Sequence, residues 1–366
     1  DIEGYWDNHA FHEKKADFTD FLRINAPAAY KKNFDYLTID PMLYALFNNN
    51  MEQVKARFAA AVEDPEEAID NSLRTVFNIL AVDRTYKDYT KTVAETVRVP
   101  LQESTKLIGD ASFNYAAFIY ANHLEAVFTK IQNGEIIDWD HFTNEVEKIE
   151  FKFFPELKEL PNLNIAIDYE QFHKTSKYRN NILNQISVDF FYYAFSIQNL
   201  PVYWAFRSWF NLREYLLDHE DAPRRKSWFT FTPNMLDKMG DRLYGFLGEN
   251  KAEMVITSFT LPYIYDFFLD RGHIDEPTYD RLAEYLDFNR RAIFNVLGND
   301  LWKYKGLYTW KKPNFIPTER YQQEKELVEQ TIQLDHKKAS NIIKNFMDTL
   351  PALSKDAEPP IEPSPF

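Results

Sequence analysis

The sequence predicts an all-α fold, a multi-helix bundle that ends in a long C-terminal helix and a proline-rich extended tail. Two observations carry this prediction: apolar residues recur three and four positions apart along most of the chain, and only 9 of the 366 residues are glycine. Glycine supplies the left-handed corners of turn-rich folds, and an average chain of this length would contain roughly 26 glycines. Nucleotide-binding sheets, TIM barrels and β-sandwiches are therefore disfavoured.

The starts of the predicted helices are marked by a capping residue followed by proline and carboxylates. In the segment 63–67, Asp64 can accept hydrogen bonds from free N–H groups, and Pro65 suits the first helical position. Glu276 and Pro277 repeat this pattern further along the chain. Together with the prolines that end helical periods elsewhere, these signals predict roughly ten to fourteen helices.

Composition and proline positions divide the chain into five consecutive regions. They are an N-terminal helical region (1–99), a helix-loop-helix region (100–161), an aromatic-rich helical extension (162–312), the long C-terminal helix (313–350) and an extended or disordered tail (351–366). The long helix is predicted because residues 318–350 contain no glycine or proline, which would give a rod of roughly 48 Å. The tail is predicted to be extended because prolines are concentrated in it.

Composition also excludes several classes of function. The chain has no cysteine, which removes disulfide frameworks, thiolate zinc sites, iron–sulfur clusters and cysteine nucleophiles. A net charge of −14 repels phosphate backbones, so we expect no nucleic-acid partner. The sequence lacks an apolar run of about 18 residues that would indicate a membrane span. The chain begins at Asp1, which is consistent with removal of a targeting segment or with trimming.

Searches for catalytic motifs leave only weak candidates. The sequence has no glycine-rich phosphate loop, nucleophile elbow or H-E-x-x-H helix. The acidic segments 218–221 and 299–300 approximate the Mg²⁺-binding motifs of all-helical enzymes that act on diphosphates. After the second of these segments, however, Lys303 stands where a hydroxyl would be expected. We therefore assign no metal, no cofactor and no catalytic residue.

Phenylalanine, tyrosine and tryptophan make up 16% of the chain, and two segments concentrate them. The run 190–210 holds too many rings for one narrow helical stripe, so either the core takes them or part of the run contacts another protein. The second segment interleaves aromatic rings with lysines at Trp302, Lys303, Tyr304, Lys305, Trp310, Lys311 and Lys312. Because lysines beside Trp and Tyr rings suit anionic lipid headgroups or an acidic partner, we predict a lipid-binding or partner-binding patch here.

A helix-loop-helix pattern lies within the region 100–161. Its second helix follows the triplet Ile137-Asp138-Trp139, and Asp138 can cap the free N–H groups of that helix. Trp139 and Phe142 are three residues apart and should lie on one side of it. If both rings pack against the first helix, replacing Trp139 with alanine should cost about 3–5 kcal/mol of stability.

This step resembles subunit d of the mitochondrial F-type ATP synthase, in which a helix and a short loop lead into Ile-Asp-Trp or Val-Asp-Phe and an aromatic residue follows three positions later. The present chain is much longer than the usual subunit d. The resemblance implies a non-catalytic subunit of the peripheral stalk, on the matrix side of the mitochondrial inner membrane. It also implies that Ile137, Asp138, Trp139 and Phe142 contact partners, namely other stalk and membrane-sector subunits.

Two other functions stay open from the sequence. An all-helical, metal-dependent enzyme acting on a diphosphate would need several carboxylates that converge in an enclosed pocket. A secreted or periplasmic ligand-binding protein would line a groove with Trp and Tyr side chains. A solid core with extended apolar surface would instead favour the stalk subunit.

Overall fold

In the computed structural model, the described residues are 109–148, 165–218, 229–230, 239, 251–331, 334 and 336–352, with 21–22, 24–26, 29, 45, 50, 52 and 79–83 nearer the N-terminus. These residues are 79% helical and contain no strand. The prediction of an all-α, multi-helix fold is confirmed. The predicted cap at Asp64 and almost all of the predicted tail lie outside the described residues.

Within the described ranges, nine α-helices and one 3₁₀ segment have defined bounds, and further described residues are helical, among them 21–22, 79–80 and 239. The elements with defined bounds are α1 (Gly109–Gln132), α2 (Trp139–Glu147), α3 (Tyr169–Lys174), α4 (Ser176–Ser196), α5 (Val202–Asp218), α6 (Lys251–Asp270), α7 (Glu276–Leu297), the 3₁₀ segment (Gly298–Thr309), α8 (Thr318–Thr331) and α9 (His336–Thr349). The 3₁₀ segment is interrupted at Tyr304, where the backbone dihedrals are φ −102° and ψ 18°.

Aspartate caps begin three of these helices, because a short carboxylate can reach the free N–H groups of the first turn. Asp138 caps α2 and Asp168 caps α3. At α7 the cap is Asp275, whose carboxylate accepts a hydrogen bond from the backbone N–H of Thr278 at 2.9 Å. The sequence pattern predicts the cap itself at Glu276, which is instead the first residue of α7.

The chain forms two compact units, and each unit combines segments that are distant in sequence. The first contains Asp1–Tyr115, Phe294–Leu307 and Gln322–Thr349; the second contains Ala116–Ile293, Tyr308–Tyr321 and Leu350–Phe366. The five consecutive regions proposed from composition stay a prediction, since a region marked by composition need not coincide with a compact unit.

The core of the second unit is built around α6. Every residue from 253 to 268 is buried, the polar ones as well as the apolar ones. α5 packs against both α4 and α6, and α4 also contacts α6. Pro262 lies inside α6, where packing on all sides outweighs the roughly 3 kcal/mol that proline costs in a helix interior.

Aromatic rings join α1 to α4 and α5 in the same unit. Phe128 of α1 lies 5.2 Å from the ring of Tyr192 and 5.9 Å from that of Phe195, and Tyr120 lies 5.6 Å from Phe206. Most rings of the run 190–210 are buried in this way. Core packing therefore accounts for the buried rings of the run, whereas Tyr192 and Phe210 are half-buried.

In the first unit, Gly306 allows two segments to approach closely. A Cβ atom at this position would lie 2.5 Å from Cγ1 of Val82 and 3.1 Å from Cβ of Asp83. Val82 is buried and its branched side chain has little freedom to move away. A larger residue than glycine would therefore push the two segments apart.

The predicted long C-terminal helix is wrong, because the chain forms two shorter helices there. α8 ends at Thr331 and α9 begins at His336, with Leu334 non-helical between them. Each helix is roughly 21 Å long, so no 48 Å rod is formed. The Thr331 hydroxyl donates to the carbonyl of Val328 at 2.7 Å, a bond that competes with regular helix geometry at the end of α8.

Candidate partner-binding site

We call residues 133–142 the interhelix turn; they comprise the connection between α1 and α2 and the first four residues of α2. The turn begins with a well-defined helix end. Gly134 has φ +71°, the left-handed conformation that glycine adopts without strain. The N–H of Glu135 donates to the carbonyl of Lys130 at 2.9 Å, and the N–H of Gly134 donates to that of Ile131 at 3.0 Å. This pair of bonds is a Schellman motif, which satisfies the last carbonyls of α1 and fixes the direction of the chain that follows.

The turn ends with an equally defined helix start. Asp138 has an extended backbone, and its carboxylate accepts a hydrogen bond from the N–H of His141 at 2.9 Å. The predicted cap is therefore confirmed. Hydrogen bonds therefore hold the backbone at both ends of the turn.

The side chains of the turn differ sharply in exposure. Ile136 is 95% exposed, Ile137 and Trp139 are half-buried, and Phe142 is buried. The rings of Trp139 and Phe142 meet edge to face at 6.3 Å. Trp139 is therefore packed less completely than expected, and the predicted cost of replacing it with alanine has to be reduced.

Ile136 was missing from the predicted contact residues, although it is the most exposed large apolar side chain among the described residues. The signal that could have found it is local. Two consecutive isoleucines follow a glycine helix end and precede an aspartate cap, so at most one of them can turn toward the core. A partner contact through Ile137, Asp138, Trp139 and Phe142 stays a prediction.

The surface of the turn is acidic. Within residues 133–142 the sequence has Glu135, Asp138 and Asp140 and neither lysine nor arginine. The next carboxylate along α2, Glu145, is paired with Lys148. This pairing, through a hydrogen bond from the Lys148 ammonium, lowers the pKa of Glu145. Lys148 therefore offsets the charge of Glu145, whereas the turn itself contains no lysine or arginine.

The lysine and aromatic segment differs from the predicted outward-facing patch, because its rings are buried. Trp302, Tyr304 and Trp310 all lie in the interior. The Trp310 ring lies 5.3 Å from that of Trp204 and 5.6 Å from that of Tyr263. Burial also raises the pKa of Tyr304. The rings serve core packing, and the expectation that they face lipid or a partner is wrong.

The lysines of this segment have different environments. Lys303 pairs with Asp300 at 2.9 Å, burial lowers the pKa of Lys305, and Lys312 donates to the carbonyl of Ile316 at 3.0 Å. Of the four, Lys311 is the exposed one. Contact with anionic lipid through these lysines stays a prediction.

Several buried charges of the second unit were not anticipated from the sequence. Glu253 of α6 pairs with Arg207 of α5, and Asp189 of α4 pairs with Arg271 at 2.9 Å. Burial raises the pKa of Asp189, an effect that the hydrogen bonds and charge of Arg271 oppose. The sequence does contain a signal for such buried charges: Asp189 and Glu253 are each an isolated carboxylate within a largely apolar helical stretch.

Asp266 is the most deeply buried of these carboxylates. It accepts hydrogen bonds from the Tyr279 hydroxyl and from the backbone N–H of Asn314, the latter at 3.0 Å. Burial raises its pKa to about 6, although both hydrogen bonds and the charge of Lys312 act in the opposite direction. The carboxylate links α6, α7 and the loop before α8, which is a structural task.

Among the described residues, no three or more histidine, aspartate or glutamate side chains are grouped so that they could hold a metal ion. The Asp300 carboxylate of the acidic segment 299–300 faces Lys303, and the segment 218–221 lies largely outside the described residues.

None of the helices in the described part of the chain is both long and apolar enough to cross a bilayer. The chain matches no family model. Comparison with curated proteins and with solved structures also gives no match.

Proposed function

We propose that this chain is a non-catalytic structural subunit of a large protein assembly. The observation that carries the proposal is the interhelix turn, where Ile136 is 95% exposed between two capped helix ends. A large apolar side chain that a hydrogen-bonded turn presents to solvent beside carboxylates is typical of a contact made with another protein.

The chemistry of the buried charges supports a structural role. Glu253 is engaged by Arg207, Asp189 by Arg271, and Asp266 by hydrogen-bond donors from α7 and the following loop. A carboxylate held in this way stabilises a particular packing of helices, and truncating its partner would leave a buried charge without compensation.

The finer proposal is that the assembly is the mitochondrial F-type ATP synthase and that the chain belongs to its peripheral stalk, on the matrix side of the inner membrane. It rests on the resemblance of the turn to subunit d. In that role the chain would tie the membrane sector to the catalytic head and resist the torque of the rotor. Its partners would be other stalk and membrane-sector subunits.

Native electrophoresis tests both levels of this proposal. The affinity-tagged full-length chain is expressed in its source cells, membranes are solubilised in digitonin, and complexes are separated and analysed by mass spectrometry. We expect the chain to migrate with catalytic-head and membrane-sector subunits of the ATP synthase. Migration with a different large complex would overturn the stalk assignment alone, whereas migration as a monomer would overturn both levels.

A variant pair links the outcome to the turn. Ile136→Asp should release the chain from the complex, because a charge replaces the apolar contact. Ile197→Asp is the matched control, since Ile197 is also an exposed isoleucine at a helix end, at 48% exposure. Equal retention of the two variants would show that the turn is not the contact.

A further inference from the structure

We infer that the interhelix turn receives a basic, apolar segment of another protein. In this arrangement Ile136 inserts among apolar side chains of the partner, and lysines or arginines of the partner face Glu135 and Asp140. The inference rests on the proposed partner contact and adds the chemistry of the partner.

The first step is that the apolar element of the turn is already in its binding geometry. The Schellman motif at Gly134 and the aspartate cap at Asp138 hold Ile136 from both sides. Ile137 and Trp139 are half-buried beside it and extend the apolar surface at its base. A partner therefore does not have to order this loop, which removes a common cost of binding.

The second step is the sign of the charge around that apolar element. Glu135 and Asp140 are exposed on either side of Ile136 and Trp139, and the turn itself has no lysine or arginine to neutralise them. Burying this surface against a neutral or acidic partner would remove water from carboxylates without replacing it by a counter-charge. A partner that brings lysine or arginine to the rim avoids this cost and gains steering from the charge of the turn.

The third step selects a protein as the partner class. Anionic lipid headgroups and nucleic-acid phosphates would be repelled by three carboxylates in ten residues and by the net charge of −14 of the chain. A polypeptide can supply an apolar pocket and positive charge together. The charge complementarity therefore favours a basic protein segment over a membrane surface.

Site-specific photocrosslinking in the intact complex tests the inference. The full-length chain carries benzoylphenylalanine at position 136 or, as the control, at position 197, and the crosslinked peptides are sequenced. We expect position 136 to give one dominant crosslink to a segment of another protein with net positive charge and apolar residues at the crosslinked position. A crosslink to an acidic or uncharged segment, to lipid or to this chain itself would overturn the inference, as would no crosslink at all.

Matched variants measure the two components of the contact. Ile136→Ser should reduce the amount of crosslinked partner that co-purifies by about tenfold, as expected for a central apolar contact, and Glu135→Gln with Asp140→Asn by about fivefold. Ile197→Ser and Glu276→Gln are the controls and should change it by less than about twofold. Glu276 matches Asp140 as an exposed first-turn carboxylate. If Glu135→Gln with Asp140→Asn changes the amount of co-purified partner no more than Glu276→Gln does, these carboxylates do not contribute to binding and the inference is wrong.

The inference and the proposed function can fail separately. If the chain migrates with the ATP synthase but position 136 crosslinks to an acidic segment, the partner chemistry is wrong and the subunit assignment stands. If position 136 crosslinks to a basic segment of a protein from a different complex, the partner chemistry stands and the stalk assignment fails.

Discussion

Helix α6 and the interhelix turn use similar residues for opposite purposes. Both contain aromatic or apolar side chains next to carboxylates. In α6 every residue from 253 to 268 is buried, and Glu253 and Asp266 have partners inside the protein. In the turn, Ile136 faces solvent and Asp138 is used only to cap a helix. The comparison teaches that burial, more than residue type, separates the residues that hold this fold from those available to a partner.

Replacing one tryptophan in the core and one in the interhelix turn with alanine should give the largest difference in the free energy of unfolding. Trp204→Ala removes a fully buried ring that packs against Trp310, and it should cost about 3–5 kcal/mol in the free energy of unfolding. Trp139→Ala removes a half-buried ring at the turn and should cost roughly 1–2 kcal/mol. Urea titrations followed by circular dichroism measure both values. Equal costs would contradict the different packing of the two rings.

A buried and an exposed ion pair should differ by a similar amount in their contribution to the free energy of unfolding. Glu253→Ala leaves Arg207 charged in the core, where their side chains are 9% and 7% exposed, and should cost about 3–5 kcal/mol. Glu170→Ala breaks the pair with Lys174, in which both side chains are more than two-thirds exposed, and should cost at most about 0.5 kcal/mol. Urea unfolding of both variants provides the comparison.

A double variant distinguishes loss of the pair from loss of packing. Arg207→Met with Glu253→Met removes both charges and should recover much of the stability that Glu253→Ala loses, because no buried charge remains. If the double variant is as unstable as Glu253→Ala, packing around the pair explains the effect, and the buried charge does not.

The features that the sequence predicted correctly depend on local interactions. The helical fold follows from periodicity and low glycine content, and the cap at Asp138 depends on a backbone group three residues away. Such signals are contained within one helical turn, so they can be recognised without knowing the tertiary structure.

The features that were wrong or missed depend on tertiary contacts. The rings of Trp302 and Trp310 have lysine neighbours in sequence, yet they lie in the interior, where Trp310 packs on Trp204 more than a hundred residues away in sequence. The break between α8 and α9 contains neither glycine nor proline. Asp189 pairs with Arg271, which follows the end of α6 and lies 82 residues away, so the sequence around Asp189 does not identify its partner.

Titration of Asp266 gives a smaller, pH-dependent test of the buried region. Burial raises its pKa from 3.8 to about 6, so the folded chain holds this proton more tightly than the unfolded chain does. Its contribution to stability is full below pH 4 and is lost as the pH rises through 6, a change of about 3 kcal/mol. Asp266→Asn should abolish this contribution. The measurement is the difference in unfolding free energy between wild type and variant from pH 4 to 7.

His273 should act in the opposite sense and serves as the counterpart. Its ring stacks on Phe229 at 5.1 Å, and burial lowers its pKa to about 4. The folded chain binds this proton less tightly, so the contribution of His273 is present above pH 6.5 and is lost as the pH falls toward 4. His273→Phe keeps an aromatic ring and should flatten that loss. Two variants that change the pH profile in the same direction would contradict these assignments.

Removing the cap of α2 should have a small effect on stability and a larger one on binding. Asp138→Ala leaves the N–H of His141 without its carboxylate acceptor and should cost about 1 kcal/mol. Asp138→Asn is the control, because asparagine caps nearly as well while removing the charge. Urea unfolding gives the cost, and retention of the partner in the purified complex gives the effect on binding. Because the cap fixes the direction of Ile136, Asp138→Ala should weaken retention more than Asp138→Asn does; if the two variants retain the partner equally, the rigidity of the turn does not contribute to binding.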